Sequence, residues 1–159
     1  MKFRYTRFPY RPRNGQPYSI VRPVIPIGLR YQNNVFPARY EALIDSGADN
    51  CLFHAQIGET IGINVKSGPQ KVFGGMGFGK MIGYLHTVEI QIGGYWLQCQ
   101  AAFTYELVRP SPTDPGKLEG AHYGILGQEE FFDKFKVIFD RTEEEVELRP
   151  KDPSVLRTT

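Results

Sequence analysis

The chain has 159 residues, of which 41% are hydrophobic and 23% are charged, and its formal net charge is +2. This size and composition suit one globular domain, and so small a net charge argues against a nucleic-acid partner. Its two cysteines, Cys51 and Cys99, do not make a disulfide framework, which favours a reducing compartment. The charged start of the chain lacks the apolar segment of a secretory signal, and no apolar run is long enough to span a bilayer. We expect a soluble, cytoplasmic protein without a membrane partner.

Residues 1–17 form a basic arm in which aromatic and cationic side chains are interleaved and no acidic residue occurs. Such an arm can stack on nucleic acid. The alternative is an edge arm that packs on its own domain or on a partner subunit. Because the rest of the chain is not basic, packing is favoured and no nucleic-acid partner is predicted.

From Tyr18 onward the pattern is mostly that of β-strands. The segments SIVRPVIPIGLRY and VFPARYEALI each read as one strand, and residues 54–62 as a short helix that ends at Gly62. Residues 70–92 read as strand, glycine turn and strand, and Gly93-Gly94 as a hairpin turn leading into YWLQCQAAF. The sum predicts a mainly β domain with one or two short helices.

The second half of the chain contains one long irregular segment, residues 106–122, in which three prolines are expected to rule out regular structure. A segment of this kind either shapes a site or is a solvated insertion. After it, YGILG reads as a short apolar strand and QEEFFDKF as one or two helical turns. KVIFD and EVELRP read as strands, separated by a solvated turn at residues 143–145.

Several familiar site patterns fail on their context. Gly74, Gly79 and Lys80 fit the glycine and lysine spacing of a phosphate loop, but a β-rich run follows where a helix is required. The three histidines are far apart and lack ligand spacing, so no metal and no cofactor are predicted. Ser46 lacks the G-x-S-x-G setting of a hydrolase nucleophile, and Cys51 is interpreted as a small buried thiol.

The segment ALIDSGADNCLF, residues 42–53, places Asp45 directly after an apolar strand. A lone ionised carboxylate there is costly to bury unless something shares its charge. Further along, Ile125-Leu126-Gly127 is a second apolar strand that ends in glycine just before a short helix. A simple turn would explain the first segment alone but not the two together.

These segments and the glycine-rich turn between them resemble the retropepsin-like aspartic peptidases. That family has an apolar-apolar-Asp-Thr/Ser-Gly-Ala motif, a glycine-rich flap and an apolar-apolar-Gly motif, in this order. The resemblance implies an all-β, closed acid-protease-like barrel, assembled as a two-fold homodimer that acts on peptide or protein substrates. The resemblance covers residues 18–149, which are expected to form the peptidase domain, with the basic aromatic arm at 1–17 before it and a tail at 150–159 after it.

The resemblance assigns roles to individual positions. Asp45 corresponds to the catalytic aspartate, Ser46 and Gly127 to supports of its loop, and residues 72–82 to the flap. The substrate-binding positions implied in this way are Gly47, Ala48, Asp49, Gly74, Gly75, Met76, Gly77 and Phe78. Retroviral members usually carry Arg after the second-motif glycine, paired with the acid equivalent to Asp49. Gln128 stands there in this chain, so the brace of Asp49 is left open.

Aspartic peptidases need two carboxylates about 3 Å apart that share one proton. This chain has a single D-[ST]-G motif, so a monomer supplies half a site and the second Asp45 is expected from a second copy. The alternative function is a retropepsin-like domain that dimerises or binds peptide with little or no proteolysis. A buried acid kept together with Ser46, Gly47 and a flap favours the peptidase, since a scaffold needs no such acid.

Overall fold

The computed structural model describes residues 1–10, 15–75, 79–110 and 118–158. Strands dominate these ranges, with a single α-helix, α1 (Ala55–Thr60), and short helical turns at Val65–Ser67, Gln128–Phe132 and Pro153–Val155. The strands in chain order are β1 (Lys2–Arg4), β2 (Thr6–Tyr10), β3 (Tyr18–Arg22), β4 (Val24–Tyr31), β5 (Asn34–Val35), β6 (Tyr40–Ile44), β7 (Cys51–His54), β8 (Gln70–Gly75), β9 (Gly79–Ile92), β10 (Tyr95–Thr104), β11 (Val108–Pro110), β12 (Leu118–Gly120), β13 (Gly124–Leu126), β14 (Phe135–Asp140), β15 (Glu145–Pro150) and β16 (Arg157–Thr158).

Six strands close into a barrel in the order β10, β7, β13, β6, β4 and β9, because β9 also pairs with β10. The closed sheet confirms the prediction of a mainly β barrel with short helices. Closure leaves none of these six strands with a free edge. Strand β8 extends the sheet beyond β9, and β16 extends it beyond β10.

The barrel interior is filled by alternate residues of its strands, as the two-residue period of a strand requires. On β4, Ile25, Ile27 and Leu29 are fully buried, and on β9 Ile90 and Ile92 are as well. The β-branched and leucine side chains that predicted these strands are therefore the ones that form the core. Strands β6 and β13 pack against this core, and the candidate site residues follow directly after the last residues of these two strands.

Two local predictions are confirmed by the backbone. Strands β9 and β10 pair antiparallel with Ile92 opposite Tyr95. The intervening Gly93 and Gly94 have φ angles of +57° and +91°, which suit glycine and the turn of a tight hairpin. Helix α1 forms inside the expected segment, and Gly62 beyond it has a φ of +89°.

Three predicted elements differ from the structure. Pro23 divides SIVRPVIPIGLRY into β3 and β4, and VFPARYEALI is divided into β5 and β6. The expectation of no regular structure over residues 106–122 was wrong, since β11 pairs antiparallel with β12. Pro110 ends β11, and the other two prolines of this segment lie outside the described residues.

Residues 1–10 of the N-terminal arm pair with other strands of the same chain. Strand β1 pairs with β15, and β14 completes a three-stranded sheet on the side of the barrel. Lys2 pairs with the carboxylate of Glu145 at 2.6 Å, and Arg7 pairs with Glu144. The predicted turn is present, although Glu145 is already the first residue of β15. These cations are thus partly neutralised within the chain. In the described ranges, no helix has the length and apolar character needed to cross a membrane.

Candidate active site

Asp45 lies where two parallel strands end side by side. Strands β6 and β13 run parallel, with Ile44 opposite Leu126, and the backbone N–H of Asp45 donates to the carbonyl of Leu126 at 3.1 Å. Because parallel strands finish at the same edge, the loop after β6 and the turn after β13 meet there. The two sequence segments that looked related are therefore in direct contact.

The loop after β6, residues 45–50 (the Asp45 loop), is a tight turn held partly by the aspartate itself. The N–H of Gly47 donates to Oδ1 of Asp45 at 2.9 Å, and the N–H of Ala48 donates to its carbonyl at 3.2 Å. Asp45 is half-buried, whereas Ser46 and Gly47 are exposed. The carboxylate is therefore neither free in solvent nor fully enclosed, and one oxygen already accepts a backbone hydrogen bond.

The turn after β13 holds the Asp45 loop through consecutive backbone contacts. The N–H of Gln128 donates to the carbonyl of Ala48 at 2.8 Å, and the N–H of Glu129 donates to the carbonyl of Asp49 at 2.7 Å. These bonds use carbonyls that the loop itself leaves unpaired. The position of the Asp45 loop is thus fixed mainly by the two residues after Gly127.

Gly127 lies directly beneath the Asp45 loop. A Cβ at this position would stand 2.4 Å from the carbonyl oxygen of Asn50 and 2.8 Å from that of Ala48. Its φ of −99° is open to any residue, so lack of space and not backbone conformation requires glycine here. The absence of a side chain lets the two backbones approach closely enough for the hydrogen bonds above.

Gln128 does not brace Asp49. Its side-chain Nε2 donates instead to the carbonyl of Ser46 at 2.6 Å, so it supports the exposed part of the Asp45 loop. Asp49 is exposed, and its carboxylate makes no ion pair with a described residue. Gln128 therefore supports the Asp45 loop by an amide-to-carbonyl hydrogen bond and not by a contact with the carboxylate of Asp49.

Asn50 and Glu129 form a contact that the sequence analysis did not single out. Asn50 is only 8% exposed, and its Nδ2 donates to Oε2 of Glu129. The ammonium of Lys71 on β8 lies 3.8 Å from the same oxygen. A polar residue directly after the acidic end of the motif was the available signal, because a buried Asn needs a hydrogen-bond partner.

The described glycines of the glycine-rich segment lie at the facing ends of two antiparallel strands. Strands β8 and β9 pair from Gln70 opposite Tyr84 to Gly75 opposite Gly79, so a strand and not a helix follows Lys80, as the rejection of a phosphate loop assumed. Gly74 lies in open space, and a Cβ added there would have nothing within 4 Å. The proposed substrate-binding residues Met76, Gly77 and Phe78 lie outside the described residues.

Cys51 is a buried thiol and not an exposed nucleophile. It is fully buried on β7, and its Sγ donates to the carbonyl of Glu129 at 3.8 Å. A hydrogen bond with Cys51 and burial both raise the pKa of the neighbouring Cys99 thiol. In the parts of the chain that the structure describes, no three His, Cys, Asp or Glu side chains are grouped closely enough to hold a metal ion.

His54 is built into the barrel wall behind the site. One ring nitrogen bonds the hydroxyl of Tyr40, and Nε2 lies 2.9 Å from the carbonyl of Ala121. Burial lowers the pKa of His54, although the Ala121 carbonyl opposes that shift. The neutral ring, with Nε2 donating to Ala121, satisfies both contacts, so this histidine is structural.

No protein-family model matches this sequence, and no curated protein matches it. Among solved structures, the chain is similar to a retropepsin-like aspartic protease from Rickettsia conorii, with 12% sequence identity and a TM-score of 0.48. The match covers 92% of this chain and 95% of that one.

Proposed function

We propose that this protein is an aspartic endopeptidase whose active site forms between two copies of the chain. The observation that carries the proposal is the parallel pairing of β6 and β13, which holds Asp45 at the end of a rigid barrel strand. The turn after β13 fixes its loop at three carbonyls, those of Ser46, Ala48 and Asp49. A half-buried carboxylate held this firmly is suited to chemistry.

The proposed mechanism uses two Asp45 carboxylates and one shared proton. Two carboxylates about 3 Å apart cannot both be ionised, so one keeps its proton. The ionised member takes a proton from a water molecule, which attacks the peptide carbonyl carbon, and the protonated member donates its proton to the developing oxyanion. Collapse of the tetrahedral intermediate then breaks the C–N bond, and the amine leaves with a proton from the dyad.

A second copy supplies what one chain lacks. The chain contains one D-[ST]-G motif, so only a two-fold axis beside Asp45 brings two such carboxylates together. The hydroxyl of Ser46 makes no hydrogen bond to a described residue and is exposed, which leaves it available to the partner's loop. A cavity of about 430 Å³ elsewhere on the barrel is lined by Arg30, Glu89 and Arg157, and does not include Asp45.

The substrate in this proposal is an extended peptide that lies between the Asp45 loop and the β8–β9 hairpin. In this proposal Gly47, Ala48 and Asp49 contact one side of the peptide, and Gly74 and Gly75 at the end of β8 contact the other. An extended peptide would bind by main-chain hydrogen bonds, as an added strand does. Exposed backbone at glycine positions allows that close approach.

The test compares the wild-type protein with Asp45→Asn on a mixed peptide library at acidic to neutral pH. Asparagine keeps the Oδ1 acceptor for Gly47, so the fold and the dimer are expected to persist while cleavage is lost. Asp140→Asn is the matched control, because Asp140 accepts from the N–H of Glu143 in a distant turn. A wild-type protein that binds peptides without cleaving them, or unchanged cleavage by Asp45→Asn, would contradict the proposal. The first of these results would favour the non-proteolytic alternative.

A further inference from the structure

Glu129 stands at the meeting point of three segments of the proposed site. Its own backbone N–H holds the carbonyl of Asp49, and its carbonyl accepts from the thiol of Cys51. Its carboxylate reaches back to Asn50 at the end of the Asp45 loop and outward to Lys71 on β8. In the described part of the chain, no other side chain joins the Asp45 loop to the β8–β9 hairpin in this way.

One oxygen makes both contacts. Oε2 of Glu129 accepts from Nδ2 of Asn50, and the same atom lies 3.8 Å from Nζ of Lys71. Because the amide of the buried Asn50 fixes the direction of this carboxylate, the Asp45 loop also sets where the carboxylate can pair with the ammonium of Lys71. The hairpin strand and the active-site loop are thereby coupled through a single side-chain atom.

The two contacts are not of equal weight. The side chains of Lys71 and Glu129 are 39% and 62% exposed, so their ion pair is solvated and weak. Asn50 is 8% exposed, and its Oδ1 already lacks a partner among the described residues. Loss of Glu129 would leave the buried amide with no partner at either end, which costs far more than a surface ion pair.

We propose that Glu129 is a positioning residue that couples the β8–β9 hairpin to the Asp45 loop through the shared contacts of its carboxylate with Asn50 and Lys71. The contact with Asn50 sets the geometry of the loop that carries Asp45. The contact with Lys71 ties strand β8 to the same carboxylate. The first governs the chemical step, and the second governs how well a peptide is held.

The coupling predicts different outcomes for three variants. Glu129→Ala removes both contacts, Lys71→Met removes only the ion pair, and Glu129→Gln keeps an acceptor for Asn50 while removing the charge. The matched control is Glu130→Ala, since Glu130 lies in the same turn but pairs with Lys134 instead. All four variants leave Asp45 untouched.

Backbone hydrogen exchange tests the coupling without any catalytic activity. Glu129→Ala should speed exchange in both segments 45–51 and 70–75. Lys71→Met and Glu129→Gln should speed exchange only in 70–75, by up to about five-fold. Equal exchange in Glu129→Ala and Glu130→Ala would overturn the inference, and so would acceleration in 45–51 caused by Lys71→Met alone.

Steady-state kinetics on a peptide that the wild type cleaves supply the second readout, which rests on the proposed peptidase activity. Lys71→Met and Glu129→Gln should raise KM by up to about five-fold with kcat unchanged. Glu129→Ala should in addition lower kcat by roughly ten-fold or more, and the Gln variant should retain the wild-type kcat. Equal kcat in the Ala and Gln variants would overturn the inference. If the wild type cleaves nothing, the proposed function fails and the exchange result alone decides the coupling.

Discussion

Replacing Gly127 by alanine tests the packing that positions Asp45. The new Cβ would lie 2.4 Å from the carbonyl oxygen of Asn50 and 2.5 Å from its carbonyl carbon, and these backbone atoms cannot rotate away as a side chain does. Relief of the clash to an ordinary contact of about 3.4 Å requires one backbone to move by about 1 Å. A shift of that size would break the hydrogen bonds from Gln128 and Glu129 to the Asp45 loop, which are 2.8 Å and 2.7 Å long.

The expected loss of stability follows from these two effects. Overpacking typically costs about 1–3 kcal/mol, and each lost hydrogen bond adds about 0.5–1.5 kcal/mol. Gly127→Ala should therefore lower the free energy of unfolding by roughly 2–6 kcal/mol, or the melting temperature by about 5–20 °C for a chain of this size. Gly74→Ala is the stability control, because nothing lies within 4 Å of its Cβ position.

Urea denaturation followed by far-ultraviolet circular dichroism measures both variants on one scale. We expect a large decrease in the midpoint for Gly127→Ala and a change within about 0.5 kcal/mol for Gly74→Ala. A Gly127→Ala protein as stable as the wild type would refute the close approach of the two backbones. It would also remove the physical reason for placing Gly127 beneath the Asp45 loop.

Three further predictions concern the same region and the wall behind it. Gln128→Met keeps the length of the side chain but removes the donor to the Ser46 carbonyl. It should lower the free energy of unfolding in a urea titration by about 1 kcal/mol and should also lower kcat/KM. Unchanged values for both would contradict the support of the Asp45 loop by Gln128. Tyr40→Phe should lower the free energy of unfolding by about 1 kcal/mol, because it removes the hydroxyl that bonds His54. An unaltered midpoint of urea denaturation would count against that hydrogen bond. Burial lowers the pKa of His54 in the folded state. The stability that the neutral ring of His54 contributes is therefore fully present above its ordinary pKa of about 6.5, and it is lost as the pH falls through the lower pKa of the folded state. The melting temperature of the wild type should therefore fall from pH 7.5 to pH 5 by more than that of His54→Asn, and equal falls would disprove the assignment.

The strands of the barrel could be predicted because their side chains follow a two-residue period. Ile25, Ile27 and Leu29 alternate in the sequence and are the residues that fill the core. The glycine pair at 93–94 likewise predicted a hairpin, since only positive φ angles fit so short a turn. What failed were boundaries set by single prolines, such as Pro23, which divided a strand that the hydrophobic pattern presented as continuous.

The candidate site was predictable in part for a different reason. The Asp45 motif and Gly127 each follow an apolar strand, and parallel pairing of those strands brings their ends together. The contact between Asn50 and Glu129 was not predictable, because it joins residues 79 apart in sequence. The place of Asn50 after the motif signals a need for a hydrogen-bond partner but does not show which residue supplies it. The hydrogen bond from Gln128 to the Ser46 carbonyl could not be predicted either. An amide at that position has several possible acceptors, and only the fold selects this one.

Mixing wild-type and Asp45→Asn subunits measures most directly whether two chains share one active site. After full subunit exchange at equal concentrations, about one quarter of the dimers hold two Asp45 carboxylates. A shared site predicts that peptide cleavage falls with the square of the wild-type fraction, to about one quarter of the undiluted activity at equal mixing. Activity proportional to the wild-type fraction, near one half at equal mixing, would show that each chain works alone and would contradict the shared site.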